Sequence, residues 1–131
     1  GGGLPGQLDM WARNRIFRAV SSHDYGEGVT RTEAQILTCR ADATFRYVRR
    51  VVTYDSFDGD TDHHETLARG RWTCEGDTLT LEGDQSRSYH EYKHTSDEDA
   101  TCKETPAAPF RAAWDRAALA AAPWTQEAAA A

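Results

Sequence analysis

Histidine and acidic residues concentrate in one short segment, Asp58–Glu65, which reads Asp-Gly-Asp-Thr-Asp-His-His-Glu. Imidazole and carboxylate groups are ligands for zinc and related ions. In an extended strand, however, His63 and His64 point to opposite faces and cannot chelate together. His63, Glu65 and Asp60 could form half of a site, and the calcium-loop pattern fails because His63 stands where that loop needs glycine. The segment therefore predicts an acidic hairpin tip, with no metal ion and no cofactor.

A second polar segment, Tyr89–His94, places His90, Tyr92 and His94 on one face of a strand. Such a row could line a pocket and carry protons, or it could be the solvated outer face of the strand, which we favour. The chain has no G-x-S-x-G elbow and no phosphate-binding glycine loop. We predict no catalytic residue, and the sequence leans away from an enzyme.

The segment 43–54 is rich in β-branched and aromatic residues and is the strongest strand signal. Alternation puts Phe45, Tyr47 and Arg49 on the more apolar face, and Trp72 belongs to the corresponding face of the next strand. An inward arginine among aromatic rings suits an anionic head group. The alternative is a reversed register, or an Arg49 at the rim that pairs with an aspartate. The predicted ligand-binding residues are Phe45, Tyr47, Arg49, Trp72 and Tyr92.

Strand-like runs recur about every ten residues, which predicts a mainly β fold: an antiparallel up-and-down meander that closes into a small barrel or sandwich. A short helix over residues 7–14 precedes the strands. In the connection before Phe45, Ala43 occupies the place that a turn glycine would take. The predicted strands cover residues 15–22, 32–40, 43–54, 65–74, 78–82, 87–95 and 100–104.

The composition changes at Pro106, and Phe110–Ala122 then predicts a helix that ends at Pro123. We expect three regions: an arm or short helix at 1–14, a barrel at 15–105 and a tail at 106–131. The tail helix either packs across the domain or docks on a partner protein. In the second case the partner-binding residues are Phe110, Trp114 and Trp124, because exposed aromatic rings are costly to leave in water.

The net charge of −6 is unevenly distributed. Residues 1–54 carry eight arginines and five acids, whereas residues 55–105 carry five basic and fourteen acidic residues. Because phosphate binding requires a clustered positive surface, we expect no nucleic-acid partner. No apolar run approaches the ~20 residues of a membrane-spanning helix, so we expect no transmembrane segment.

The cysteines and the start of the chain leave alternatives open. Cys39, Cys74 and Cys102 lack metal-binding spacing, and a Cys74–Cys102 disulfide would require an oxidising compartment. The chain begins at Gly1 without methionine. That start fits a cloning remnant, and it also fits removal of a targeting segment, which would imply an organelle or an exported compartment.

Two stretches carry a resemblance to a known family: Arg40-Ala-Asp-Ala-Thr-Phe-Arg-Tyr47 and Gly70-Arg-Trp-Thr-Cys-Glu-Gly-Asp-Thr-Leu-Thr-Leu81. They resemble small lipocalin-like (calycin) domains, in which a D-G-T-F turn and a G-x-W strand recur. Ala43 replaces the usual glycine, and the G-x-W lies in the middle of the chain. The resemblance implies a β-barrel whose cavity binds a hydrophobic or amphipathic small molecule.

Three functions are consistent with the sequence. The first is a non-catalytic, ligand-binding barrel. The second is an accessory subunit of a larger protein complex, docked through its tryptophan-bearing tail. The third is a cofactor-free isomerase or cyclase that uses His90, His94 or Tyr92 as proton carriers.

Overall fold

The structure is a computed structural model, which describes residues 7–94, 100–105 and 107–129. It is mainly antiparallel β with two short helices, as the sequence predicts. The helices are α1 (Gln7–Ala12) and α2 (Arg116–Ala120). The strands are β1 (Arg15–Gly26), β2 (Val29–Cys39), β3 (Thr44–Asp55), β4 (Asp60–Glu75), β5 (Thr78–His94), β6 (Thr101–Thr105), β7 (Ala108–Asp115) and β8 (Trp124–Ala128).

One sheet contains all eight strands, in the order β6-β5-β4-β3-β2-β1-β8, and β7 also pairs with β5. The five long strands β1–β5 form the predicted up-and-down meander, since each is antiparallel to the next. Among the described residues, the hydrogen bonds that would close this sheet into a barrel are not found. Within the described ranges no ladder joins β8 to β6 or β7, and the rings of Trp114 and Trp124 meet across that gap at 5.8 Å.

The predicted strands 78–82 and 87–95 form one continuous strand, β5, as far as His94, and Thr95 lies outside the described residues. Gly83 and Asp84 do not form a turn, because Gly83 lies directly opposite Gly70 of β4. A Cβ atom on Gly83 would lie 1.9 Å from the carbonyl oxygen of Arg69, so this close approach of two backbones requires glycine. A bulge between Leu67 and Ala68 then shifts the register for the outer part of the hairpin.

The predicted helix Phe110–Ala122 is wrong over its first half, where β7 extends to Asp115 and only α2 is helical. Phe110 and Trp114 are four residues apart, a spacing that puts them on one face of a helix and also on one face of a strand. In β7 the partly buried and exposed residues alternate strictly. The edge of β5 supplies hydrogen-bond partners for the β7 backbone, and this tertiary pairing overrides the helix propensity of alanine.

The hydrophobic core lies at one end of the sheet, under α1 and α2. Neither helix has the length and apolar character that a membrane crossing requires. The strands continue well beyond the core, and their outer halves carry polar side chains. The buried core residues are Leu8, Ala12, Phe17, Leu37, Cys39, Phe45, Tyr47, Ala68, Trp72, Leu79, Leu81 and Leu119.

Candidate binding site on the inner face of the sheet

The inner face of the sheet, which we define as the face that carries Phe45 and Tyr47, changes from apolar to polar along β3. Phe45 and Tyr47 are buried in the core, whereas the side chain of Arg49 is 45% exposed to solvent. Beyond Arg49 this face opens into a depression of about 380 Å³, which we call the open depression. Its lining residues are Arg31, Arg49, Val51, Thr53, Asp62, His64, Thr66 and Ser88.

Of the five predicted ligand-binding residues, Arg49 alone lines the open depression. Phe45, Tyr47 and Trp72 lie in the core, and Tyr92 is exposed on β5 outside the lining. Trp72 is only 2% exposed, and its indole nitrogen donates to the Arg40 carbonyl at 3.0 Å. Tyr47 packs against the rings of Phe110 and Trp114 at centroid distances of 5.4 and 5.9 Å. These aromatic side chains fill the interior immediately beneath the depression.

Arg49 is part of a three-residue ion-pair group on the wall of the open depression. Its Nε donates to Glu33 Oε1 at 2.5 Å, and Arg31 Nη1 donates to Glu33 Oε2 at 3.2 Å. The hydrogen bond from Arg49 lowers the pKa of Glu33, against the opposing effect of partial burial, and the same bond raises the pKa of Arg49. Two guanidinium groups thus share one carboxylate, which leaves an excess positive charge on this wall.

Tyr47 connects the core to this wall through its hydroxyl group. The hydroxyl donates to Gln35 Oε1 at 2.7 Å, and burial raises the pKa of Tyr47 to about 12. Gln35 lies directly opposite Arg49 in the β2–β3 ladder. An uncharged, buried phenol thus lies next to the permanently charged guanidinium of Arg49, which alone of the two lines the depression.

On the other wall, Asp62, His64 and His90 converge. His64 and His90 are directly opposite in the β4–β5 ladder, and their rings stack at 4.0 Å with an interplanar angle of 7°. Asp62 Oδ1 lies 2.6 Å from His90 Nε2 and 3.3 Å from His64 Nε2. One carboxylate oxygen and two imidazole nitrogens thus meet at one point of the inner face.

His90, Tyr92 and His94 share one face of β5, as alternation predicts, but the favoured outer face is wrong: through β4 they pair onto the inner face, where they are part-exposed. Tyr92 is opposite Asp62 and His94 is opposite Asp60, with His94 Nε2 3.7 Å from Asp60 Oδ1. His63 belongs to the outer face, where its Nε2 lies 3.5 Å from Glu65 Oε2. The prediction that His63 and His64 point to opposite faces is therefore confirmed, and the half-site of His63, Glu65 and Asp60 is split between these two faces.

The cluster of Asp62, His64 and His90 was missed at the sequence level. Asp62 and His64 are two residues apart on β4, but His90 comes from β5, which the sequence divides at Gly83. A two-residue turn at Gly76 and Asp77 sets the register of a continuous hairpin, but that register alone would pair His90 with His63. The bulge between Leu67 and Ala68 shifts the register by one residue and puts His90 opposite His64. The turn was therefore a signal for the hairpin and not for the cluster.

The three predicted partner-binding residues pack against the core of their own chain. Phe110 and Trp114 contact Tyr47 from β7, and Trp124 packs on the core from β8. The described part of the tail thus belongs to the same sheet as residues 15–105. Docking of this region on another protein stays a prediction.

The cysteines are all free thiols, so the Cys74–Cys102 disulfide is not present. Cys39 is fully buried and Cys102 is exposed. Burial raises the pKa of Cys39 to about 12, and Cys74 adds to the effect. Neither Cys39 nor Cys74 therefore has the ionised thiol that nucleophilic or metal chemistry requires near neutral pH.

Comparison of the chain with family models, with curated proteins and with solved structures gave no match in any of the three. The resemblance to lipocalin-like domains stays a prediction, and function rests on the site geometry.

Proposed function

We propose that this protein is a non-catalytic, lipocalin-like binding protein that holds one small amphipathic molecule in the open depression. The observation that carries the proposal is the position of Arg49, which lies in the wall of a depression of about 380 Å³ directly above an aromatic core. Small-molecule sites typically have volumes of ~300–1,000 Å³ and a few polar groups that fix orientation.

The lining favours an amphipathic ligand over a wholly hydrophobic one. Val51 and the methyl groups of Thr53 and Thr66 offer apolar contact, but Arg49 and Asp62 are also part of the lining. A purely hydrophobic ligand would cover these charged groups without replacing their hydrogen bonds to water, which is unfavourable. A ligand with a polar head and an apolar body satisfies both parts of the surface.

The charge of the Arg31–Glu33–Arg49 wall favours an anionic head group. A guanidinium has five N–H donors, and the bond from Arg49 to Glu33 uses its Nε. A carboxylate or sulfonate could accept hydrogen bonds from the outer edge of Arg49 while Glu33 holds the side chain in place. The ligand head would then lie beside Val51 and Thr53 rather than inside the core.

The test compares Arg49→Gln with Arg50→Gln, a matched control on the adjacent residue. Arg50 also forms an ion pair, with Glu65 at 3.3 Å, but on the outer face. Both ion pairs are exposed, so either substitution should change the free energy of unfolding by less than about 1 kcal/mol. Binding of anilinonaphthalene sulfonate, an amphipathic anion, is followed by fluorescence, and decanoate and decanol are compared as competitors.

We expect Arg49→Gln to weaken binding of the probe at least tenfold, because a charge-assisted hydrogen bond contributes ~1.5–3 kcal/mol. Arg50→Gln should stay within about twofold of the wild type on the same scale. Decanoate should compete better than decanol. Equal binding by the wild type and Arg49→Gln, or better competition by decanol, would show that the ligand does not use this wall.

A further inference from the structure

We infer that Asp62, His64 and His90 form a binding site for one divalent transition-metal ion of the zinc type. This site is distinct from the Arg49 wall of the open depression, and the inference does not rest on the proposed small-molecule function. It rests on the register of β4 and β5, which brings two imidazole rings and one carboxylate together. The potential ligand atoms of all three residues lie within 4.8 Å of one another.

The distances are close to those around a bound ion. Ligand atoms at ~2.1 Å from a tetrahedral or octahedral ion are ~3.0–3.4 Å apart. Asp62 Oδ1 is 3.3 Å from His64 Nε2, and its 2.6 Å distance from His90 Nε2 needs to lengthen by a few tenths of an ångström. Small χ rotations of part-exposed side chains supply such a movement, so the strands need not shift.

The position of the proton on each imidazole ring decides whether its Nε2 atom donates a hydrogen bond or can bind a metal ion. With its proton on Nε2, His90 donates a hydrogen bond to the Asp62 carboxylate, whereas His64 Nε2 lies 3.3 Å from that carboxylate without a hydrogen bond to it. When the proton of each ring lies on Nδ1, both Nε2 atoms offer a lone pair. Because a bound metal ion lies in the plane of each imidazole, the two stacked rings must rotate out of their parallel arrangement before both lone pairs and the carboxylate oxygen meet one divalent cation.

The donor set indicates the class of ion. Two imidazole nitrogens and one carboxylate oxygen suit Zn²⁺, Co²⁺, Ni²⁺ or Fe²⁺, whereas Mg²⁺ and Ca²⁺ prefer oxygen ligands throughout. All three side chains are partly exposed, so water completes the coordination of the ion. Lys103, opposite His90 on β6, and Arg49 and Arg31 on the far wall add positive charge to this face. These positive charges lower the affinity of the site for a cation, and the negative charge of Asp62 offsets part of that effect.

The test is zinc binding by the untagged 131-residue chain, which is treated with a chelator and then freed from it. Isothermal titration with zinc chloride measures the dissociation constant and stoichiometry, and cobalt(II) absorption reports the coordination geometry. The variants are His64→Gln and His90→Gln. His63→Gln is the matched control, because it removes the neighbouring histidine from the opposite face, where His63 lies beside Glu65.

We expect one zinc ion per chain, with binding weakened at least about tenfold in His64→Gln and in His90→Gln, since loss of an outer-shell partner alone typically costs that much. His63→Gln should bind zinc as the wild type does, Arg49→Gln should bind it at least as tightly because it removes a positive charge from this face, and millimolar Mg²⁺ should not compete. Far-UV circular dichroism checks the fold of each variant. If a histidine variant unfolds, Asp62→Asn, which keeps the shape of the side chain, replaces it in the comparison.

Two outcomes would overturn the inference. One is an absence of zinc binding by the wild-type chain up to millimolar concentration. The other is binding that survives unchanged in His64→Gln and His90→Gln, or that is lost in His63→Gln instead, which would place the ion on the outer face. Because Arg49→Gln and the fluorescent anion are measured separately, failure of the metal site is distinguishable from failure of the small-molecule site.

Discussion

Replacement of Trp72 by phenylalanine tests whether this residue supports the fold. Trp72 joins β4 to the connection between β2 and β3 in two ways: its indole nitrogen donates to the Arg40 carbonyl at 3.0 Å, and its backbone nitrogen donates to the Ala43 carbonyl at 2.9 Å. The Arg13 guanidinium also lies 5.0 Å from the centre of its ring. Phenylalanine keeps the backbone bond and an aromatic face, but it removes the indole donor and part of the ring.

The expected loss has two parts. The Arg40 carbonyl also accepts a bond from the Ala43 nitrogen, so it does not become unpaired, and loss of the indole bond costs about 1 kcal/mol. The smaller ring in a site that is 2% exposed leaves a partial cavity, which costs a further ~1–2 kcal/mol. The free energy of unfolding should therefore fall by about 2–3 kcal/mol, against a typical total of ~5–15 kcal/mol.

Urea unfolding followed by far-UV circular dichroism measures this change without relying on tryptophan fluorescence. Trp124→Phe is the matched control, because Trp124 is only partly buried and meets Trp114 at the gap in the sheet. It should cost less than about 1 kcal/mol. If Trp72→Phe stays within about 0.5 kcal/mol of the wild type, or if Trp124→Phe costs as much, the assignment of Trp72 to the rigid core is wrong.

Three further substitutions test the backbone and the buried thiol. Ala43 has φ of 68°, a conformation unfavourable for residues with a Cβ atom, so Ala43→Gly should raise the free energy of unfolding by about 1 kcal/mol in urea titrations, whereas Ala41→Gly should not. Gly83→Ala should lower the free energy of unfolding by more than about 3 kcal/mol or prevent folding, because the new Cβ atom would meet the Arg69 carbonyl oxygen. Gly26 has open space around it, so Gly26→Ala should lower the free energy of unfolding by only about 1 kcal/mol. The pKa of Cys39 is about 12 in the folded chain against an ordinary 9.0, so the unfolded state ionises first and stability should fall as pH rises from about 9 towards 12. Cys39→Ala should make that fall less steep, and an unchanged pH profile would contradict the burial of the thiol.

Local sequence was sufficient for the strands that bury one face. In β3 the alternation of Phe45 and Tyr47 with polar residues identified both the strand and its inner face, because one-sided burial imposes a period of two. The same alternation separated His63 from His64. The position of Ala43 in a glycine-like conformation was also visible in the sequence, since the turn requires it regardless of distant contacts.

Strand pairing between distant parts of the chain accounts for the differences between the predicted and the observed elements. The sequence separates the strands 78–82 and 87–95, but Gly83 opposite Gly70 permits two strands to approach closely and β5 continues. This continuity and the bulge between Leu67 and Ala68 together bring His90 to His64. The segment 110–115 reads as a helix, but it becomes β7 because the unpaired edge of β5 is adjacent to it. Neither partner is near in the chain, so local propensity carries no information about them.

The sequence by itself determined that this chain folds as an antiparallel meander with Arg49 on the face of its aromatic core. Tertiary structure alone decided that the interior is filled by Phe110 and Trp114, and that the polar outer half of the inner face forms the open depression. It also decided that Asp62, His64 and His90 meet. The reason is physical: side-chain alternation depends on neighbouring residues, whereas the register between strands depends on contacts across the whole sheet.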